Sequence, residues 1–596
     1  MSSVRARHRA APVRRLPLAG VLRLNRPSDI WFKPALSVVV AVGVPNLTLL
    51  ALGRLDLALY SMAGSLCALY AHNLPYAARG RALARVVLGM LASVAIALVT
   101  ASLTSSAVVL VAVGALLAAA HKAVSDLTRI GPPGPVIFTF ISSASLFAPQ
   151  TLGQVPGHLA LAAGAGAWAW LIGMAPGLVR PHGPERRATA RALNAAAAYV
   201  DLYVGADGPV STSGGRGEVG HERARAAAAA AVHAAWQSLL AAGARPEPRR
   251  ALEGLVVRAE VALAAPADTD PARLRAWARD LRGTNPVPRV ASGRDADELL
   301  GVEVELAETG RPTPGKSGKS GKGGKGERNG RNGRNGRNRK RGTGWWTGGL
   351  APLLPLALRT ALGCALAGYV SLALGVGRPY WALVTAASLY QANLTLTWSR
   401  GVQRVVGNLV GVLLFAAVAP LAHLGPAALV LCCLAFNFGA EALISRNYWL
   451  GSICVTPMAL LITEFTGFQE PGALMTDRVV DTVVGAVVGF MAAVAVTNRR
   501  AGDRIEEALA AVERARDHAA RLIAADRPGP GALEAARRRL AAALVELRAT
   551  ADAAAGEWWQ RALPQERVML AEQAGHRTLA ATVRRQGPHV LEDAEA

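Results

Sequence analysis

The sequence predicts an all-α, polytopic membrane protein with two parallel six-helix transmembrane repeats and helical cytoplasmic regions. Three observations predict it. Hydrophobic residues make up 52% of the chain and charged residues 18%, with a mean hydropathy of +0.27; a soluble protein carries about a quarter charged residues. Apolar runs near the ~17–25 residues that a bilayer requires recur in two groups of six. Basic residues fill every second loop between them.

In the first group the spans fall near 32–51, 55–72, 83–101, 105–120, 134–150 and 157–179, the fourth being short. In the second group they fall near 352–374, 379–397, 404–421, 425–444, 448–466 and 479–497. The run after Trp31 is long enough to span, and no small-residue cleavage site follows the basic start, so it is expected to be a retained helix. Arg79, Arg81 and Arg85 follow span two, Lys122 and Arg129 span four, and Arg180, Arg186 and Arg187 span six. Arg400 and Arg404, then Arg446, then Arg499 and Arg500 repeat the alternation. Lys and Arg mark cytoplasmic loops, so both halves are expected to enter and leave the cytoplasmic membrane on its inner side, with both termini cytoplasmic.

The domain plan follows. Residues 1–30 are a basic cytoplasmic N-terminus, 31–180 the first transmembrane half and 181–310 a cytoplasmic helical region. Residues 311–344 are a linker, 345–498 the second transmembrane half and 499–596 a cytoplasmic helical C-terminal region. Helical periodicity runs through Arg223–Leu240 and Leu252–Ala264. Asp270 is placed to cap a helix that has Pro271 in its first turn and Gly283 as its stop. A Pro528-Gly529-Pro530-Gly531 break separates helical arms near the C-terminus, where Trp558 and Trp559 are expected to pack. The linker consists of Lys-Ser-Gly and Arg-Asn-Gly triplets, which offer no core and predict disorder. Its cations lie shortly before a span that opens with Trp345 and Trp346, which suits contact with anionic lipid headgroups.

Several function classes drop out. The net charge of +24 sits mostly in the linker and in the flanks of apolar spans, without interleaved aromatics, so nucleic acid is not an expected partner. Cys67, Cys364, Cys432, Cys433 and Cys454 all lie in apolar runs without metal-ligand spacing, so no metal or disulfide framework is expected. Gly310-Arg311-Pro312-Thr313-Pro314-Gly315-Lys316-Ser317 spells a phosphate-binding loop, but prolines remove donors and a Gly/Lys tract replaces the helix. No nucleotide or other cofactor is expected. With no Ser/His/Asp or Cys/His arrangement, an enzyme reading has no residues to rest on.

The halves align on each other. Leu69-Tyr70-Ala71-His72-Asn73-Leu74 matches Leu389-Tyr390-Gln391-Ala392-Asn393-Leu394, and Arg85-Val86-Val87 matches Arg404-Val405-Val406. Repeats that start on the same side are parallel, and a substrate route is expected where they meet.

Arg378-Pro379-Tyr380-Trp381-Ala382, then Arg400-Gly401-Val402-Gln403-Arg404-Val405-Val406-Gly407 with Gly411, resembles the fusaric acid resistance protein-like (FUSC) family. Arg446-Asn447-Tyr448 and Asp477-Arg478-Val479-Val480-Asp481-Thr482-Val483-Val484-Gly485 fit the later part of the same module. The resemblance covers about 350–498 well and about 30–180 more loosely. Relatives include aromatic carboxylic acid exporters and, more distantly, aluminium-activated malate transporters, so the resemblance implies export of organic anions. A passive anion channel and a membrane scaffold acting through its cytoplasmic regions are the alternatives. The bilayer is the one partner the sequence requires; a homo-oligomer is compatible with it.

Candidate residues follow. Arg85 and Arg404 begin equivalent spans, and guanidiniums there either gather carboxylates or anchor topology by snorkelling to headgroups. Asn73 and Asn393 offer amide donors, helix caps or inter-helix hydrogen bonds. Tyr380 and Trp381 are expected at the outer interface, as anchors or as a stack for an aromatic acid. Glu441 and Asp481 are the acidic residues nearest helix interiors, suited to proton coupling, although Asp481 can also pair with Arg478. Gly407/Gly411 and Gly485/Gly489 have the spacing that lets helices approach closely.

Overall fold

The computed structural model describes residues 18, 20–24, 31–128, 130–204, 216–242, 247–264, 266–283, 285–288, 354–391, 393–496, 501–525, 531–555 and 564–586. The linker 311–344, the phosphate-loop spelling, Trp345, Trp346, Trp558 and Trp559 lie outside these residues. Every long element among the described residues is a helix.

The first half contains α1 (Phe32–Ala51), α2 (Ala58–Ser65), α3 (Tyr76–Leu103), α4 (Ala107–Thr128), α5 (Val136–Leu146) and α6 (Val155–Met174), with the short α7 (Pro176–Val179) after it. A polar region follows: α8 (Gly183–Val204), α9 (Arg216–Ala241), α10 (Glu247–Ala264) and α11 (Pro271–Arg282). The second half contains α12 (Leu354–Ala373), α13 (Tyr380–Leu389), α14 (Leu394–Ala422), α15 (Pro426–Ile444), α16 (Tyr448–Thr463) and α17 (Pro471–Ala495). The second polar region contains α18 (Ala501–Ala524), α19 (Ala532–Ala555) and α20 (Gln565–Gln586).

Among the described residues nine helices are long and apolar enough to cross a membrane. Three further apolar helical segments are shorter: Leu55–Leu69, Val136–Leu146 and Tyr380–Leu389. Apolar runs read as full second spans are therefore broken. The run at 55–72 is α2 with a 3-10 turn at each end, and the run at 379–397 divides between α13 and the start of α14. The fourth span, short by hydropathy, is a 22-residue helix that continues through His121-Lys122-Ala123 beyond its apolar run.

Membrane helices show Leu and Val stripes at their surfaces. On α12 the exposed positions are Leu354, Leu358, Leu362, Leu366 and Val370, one per turn. Such a stripe is stable against acyl chains and costly in water. Inside, the halves exchange partners reciprocally: α1 packs on α15, and α12 packs on α4. One apolar core runs through both, from Val42, Met62 and Tyr70 to Trp381, Phe415 and Leu460.

Asp270 caps α11 as expected, its Oδ1 accepting from the Ala272 N–H at 2.8 Å. The two polar regions pack on each other, α9 against α19 and α10 against α20, so they occupy one face of the membrane unit. Arg537 pairs with Glu260 at 3.3 Å across this contact, and Glu260 also accepts from Trp236 Nε1 at 2.8 Å. His576 lies beside them in a cavity of about 40 Å³, next to Arg537 and Leu544. Burial, aided by the charges of Arg225 and Arg548, pushes its imidazole from 6.5 down to about 3. Above pH 6.5 the ring is neutral in both folded and unfolded chains. Below it only the unfolded chain takes the proton, so stability falls toward pH 3 by up to about 1.4 kcal/mol per pH unit. Thermal unfolding of wild type and His576→Leu, followed by tryptophan fluorescence from about pH 7 to about pH 5, tests this. The stability difference between the two proteins should shift steadily against wild type on acidification.

Candidate functional site

The site is built around α13. All ten of its residues, from Tyr380 to Leu389, are buried. The helix stops where Tyr390 turns extended, and Asn393 restarts the chain by accepting from the Leu396 N–H at 2.8 Å, capping α14. A helix end at membrane depth is tolerated only when its polar groups are enclosed in protein. Enclosure comes from α4, α5, α12, α14 and α17, which all pack on α13. Glycines permit the closest of these approaches. A Cβ on Gly485 would meet the Thr385 Cβ at 2.7 Å, and one on Gly489 the Ala386 Cα at 3.0 Å. On the neighbouring pair α14 and α16, a Cβ on Gly407 would meet the Ser452 Cβ at 2.5 Å, and one on Gly411 the Thr456 Cβ at 2.7 Å.

This packing encloses a layer of polar side chains. Arg478, two turns into α17, is 2% exposed, and its guanidinium lies 5.0 Å from the ring centre of Trp381. Arg378 approaches the same ring to 5.5 Å. Arg478 has no hydrogen-bond acceptor or ion-pair partner for its side chain among the described residues, and its Nε is buried. Asp481, one turn on, is also buried; one oxygen accepts from Ser371 Oγ of α12, and Oδ2 has no partner among the described residues. Arg404 donates from Nη1 to the Tyr448 hydroxyl at 2.9 Å, leaving its buried Nε unpaired, while Arg400 sits 3.9 Å over the Tyr448 ring. The two buried guanidiniums are close enough for the charge of Arg404 to act on Arg478. Asn408 joins the helices, donating to Thr482 Oγ1 at 2.9 Å and accepting from Thr456 Oγ1 at 2.7 Å.

Two enclosed guanidiniums, one of them without a hydrogen-bond acceptor among the described residues, share the layer with the buried Asp481 carboxylate, and a buried charge without a hydrogen-bonded partner is costly. The unpaired Trp381 Nε1 adds a neutral donor.

The site is only partly the one read from sequence. Arg404 is in the layer, but Arg85 is not: it is exposed on α3 and bonds the Arg81 carbonyl at 3.2 Å. The buried cation of that helix is Arg79, 3.0 Å from His72 Nδ1. Tyr380 and Trp381 lie in the core rather than at the outer interface, because α13 is roofed by other helices. Asn393 is a helix cap, and Asn73 is exposed in the turn after α2. Asp481 bonds Ser371 rather than pairing with Arg478. Glu441, half-buried on α15, has no hydrogen-bond or ion-pair partner among the described residues. Sequence reading passes over Arg478 as a site residue, together with Ser371, Asn408, Tyr448, Thr456 and Thr482. An arginine at the start of an apolar run, three residues before an aspartate, is the available signal.

Residues 365–492 match a family model described as fusaric acid resistance protein-like, and these residues contain the whole layer. An uncharacterized membrane protein of Bacillus subtilis, YvaC, is 31% identical over 159 residues, 26% of this chain and 25% of that protein. An uncharacterized protein of Haemophilus influenzae is 31% identical over 149 residues, 24% of this chain and 20% of that one. The matched segment thus spans a quarter or less of the length of these curated relatives. No solved structure matches the chain.

The packing around α13 is testable without a substrate. Gly485→Ala is expected to lower stability by about 1–3 kcal/mol through overpacking. Gly153→Ala, where a Cβ would meet nothing within 4 Å, should change little. Thermal unfolding in detergent compares them.

Proposed function

We propose, from the premise that this chain is a membrane protein of the fusaric acid resistance protein-like family, that it is a secondary transporter exporting organic anions, aromatic carboxylates among them, from the cytoplasm. One observation carries the reading: a buried Arg478 guanidinium, stacked on Trp381, has no acceptor for its side chain among the described residues. A planar guanidinium fits a carboxylate through paired N–H donors. The adjacent indole offers a face and a free N–H to an aromatic body.

The architecture supports transport. Short second helices, α2 and α13, occupy corresponding places in the two halves, and each is followed by non-helical chain, at 70–75 and at 390, 391 and 393. Interrupted helices in corresponding positions of two repeats are where transporter sites are built. Reciprocal packing of α1 on α15 and α12 on α4 is the pattern expected of parallel repeats about an axis along the membrane normal. Both polar regions share one face, which the basic loops assign to the cytoplasm. Asp481 is the coupling candidate in preference to Glu441, since it faces Ser371 and the Arg478 charge within the same layer.

Efflux of radiolabelled benzoate from cells with matched protein levels tests the proposal. Arg478→Ala and Arg404→Ala should each slow efflux about tenfold or more, the worth of a charged hydrogen bond. Arg404→Lys should restore only part of it, and Arg85→Ala should stay within about twofold of wild type, since that side chain lies on the surface. Wild-type efflux equal to that of empty cells for benzoate and aliphatic carboxylates would remove the proposal. Current that follows voltage alone, at about 2.3 kcal/mol per charge per 100 mV, would identify a channel.

A further inference from the structure

The N-terminal segment, which belongs to the first half in sequence, is seated on the second half in space. Residues 20–23 form a turn, with Arg23 N–H donating to the Gly20 carbonyl at 3.1 Å and Gly20 at φ +87°, where glycine is favoured. Three side chains, Gln403 from the third turn of α14 and Asn447 and Trp449 from the start of α16, hold it by its backbone carbonyls. Gln403 Nε2 donates to the Val21 carbonyl at 2.8 Å. Asn447 Nδ2 donates to the same oxygen at 3.2 Å and to the Arg23 carbonyl at 2.9 Å. Trp449 Nε1 donates to the Leu22 carbonyl at 3.2 Å. Val21 is buried to 7% exposure, while Leu24, three residues on, is 55% exposed.

These donors are sequence neighbours of the charged pair beneath them. Gln403 precedes Arg404, and Asn447 and Trp449 flank Tyr448, the hydroxyl partner of Arg404. Arg400 lies over the Tyr448 ring. Neutral N–H donors that meet on the strap's carbonyls, with the cations Arg400 and Arg404 close by in sequence on α14, are the chemistry that receives a carboxylate. Carbonyl oxygens of residues 21–23 occupy those donors here. The segment's own side chains do not supply the match, since Arg23 is a cation at a cationic place.

We infer that residues 20–24 are a removable strap, and that Gln403, Asn447 and Trp449 with Arg400 form an entry subsite for carboxylates that the strap blocks. The strap competes with the anion for the same N–H groups, so closure relaxes as anion accumulates. Asn447 serves both arrangements, since its Oδ1 faces the Trp449 N–H at the start of α16 while its Nδ2 faces outward to the strap. This rests on the organic-anion reading for the identity of the competitor, and on geometry alone for the strap.

The experiment places Val21→Cys or Leu24→Cys in the full chain in lipid nanodiscs and follows labelling of the new thiol by a bulky, membrane-impermeant maleimide. The five native cysteines are buried, which keeps the background low. The Val21→Cys protein should label about tenfold or more slowly than the Leu24→Cys protein, since reaction needs local opening. Adding Trp449→Phe should speed labelling of Val21→Cys about fivefold, as one hydrogen bond's worth of closure is lost, and Asn447→Ala, which removes two, should speed it further. Saturating benzoate should speed labelling of the Val21→Cys protein and leave that of Leu24→Cys alone. Labelling of Val21→Cys as fast as that of Leu24→Cys, or unmoved by the donor substitutions, would overturn the strap. A response to the donor substitutions without one to benzoate would overturn the competition. If all three responses occur while cells show no carboxylate efflux, the strap and its anion subsite stand and the transport reading falls.

Discussion

The fold turns on the enclosure of a helix that ends inside the apolar layer. Hydrocarbon offers no partner to free backbone groups, so α13 persists only because α4, α5, α12, α14 and α17 surround it. That enclosure has consequences in both directions. It demands small residues at Gly485 and Gly489, where a larger side chain would strike the α13 backbone or its Thr385. It also withdraws Trp381 from the outer boundary, where an aromatic after Arg378-Pro379 is ordinarily placed, and makes its ring the wall of an interior site.

Charge follows from the same geometry. Arg478 and Arg404 reach the interior from α17 and α14, and among the described residues neither forms a contact ion pair with a carboxylate, their buried Nε atoms being left without hydrogen bonds. Asp481, the nearest acid, is engaged by Ser371 from α12. The layer is therefore cationic, polar and closed, with its neutral hydrogen bonds, from Asn408 to Thr482 and from Thr456 to Asn408, tying together the helices that carry the charges. In the first half the comparable interior is mostly uncharged: His121 lies between Ser93 and Thr139, and the buried cation Arg79 is beside His72. Any exchange between the halves is thus one between chemically different partners, even where their helices follow the same order.

On the second half, Gln403, Asn447 and Trp449 hold the backbone carbonyls of residues 21–23 through neutral hydrogen bonds. A strap held in this way has a built-in ceiling on its strength, because each neutral hydrogen bond contributes only about 1 kcal/mol against water. The polar regions meet each other through the ion pair of Arg537 and Glu260, which links the parts of the chain that follow the two halves.

How much is legible can be traced residue by residue. Composition, the period of apolar runs and the alternation of basic loops determine an all-helical membrane protein, the places of its long helices and the polar regions between them. Each depends on local chemistry: a run long enough to cross, a cap such as Asp270, a glycine or proline stop. Arg404 is found because a cation at the start of an apolar run is locally anomalous. Hydropathy cannot show that the runs at 55–72 and 379–397 are broken, because a buried break and a buried helix have the same apolar composition. Nor can it separate Arg85 from Arg404, which sit in matching sequence and differ only in whether a neighbouring helix covers them. The pairing of Asp481 with Ser371, a contact across 110 positions, and the seat of Val21 on Asn447, across 426, belong to tertiary structure alone. Sequence determines which segments leave water; which side chains then face each other is decided by the packing of helices far apart in the chain.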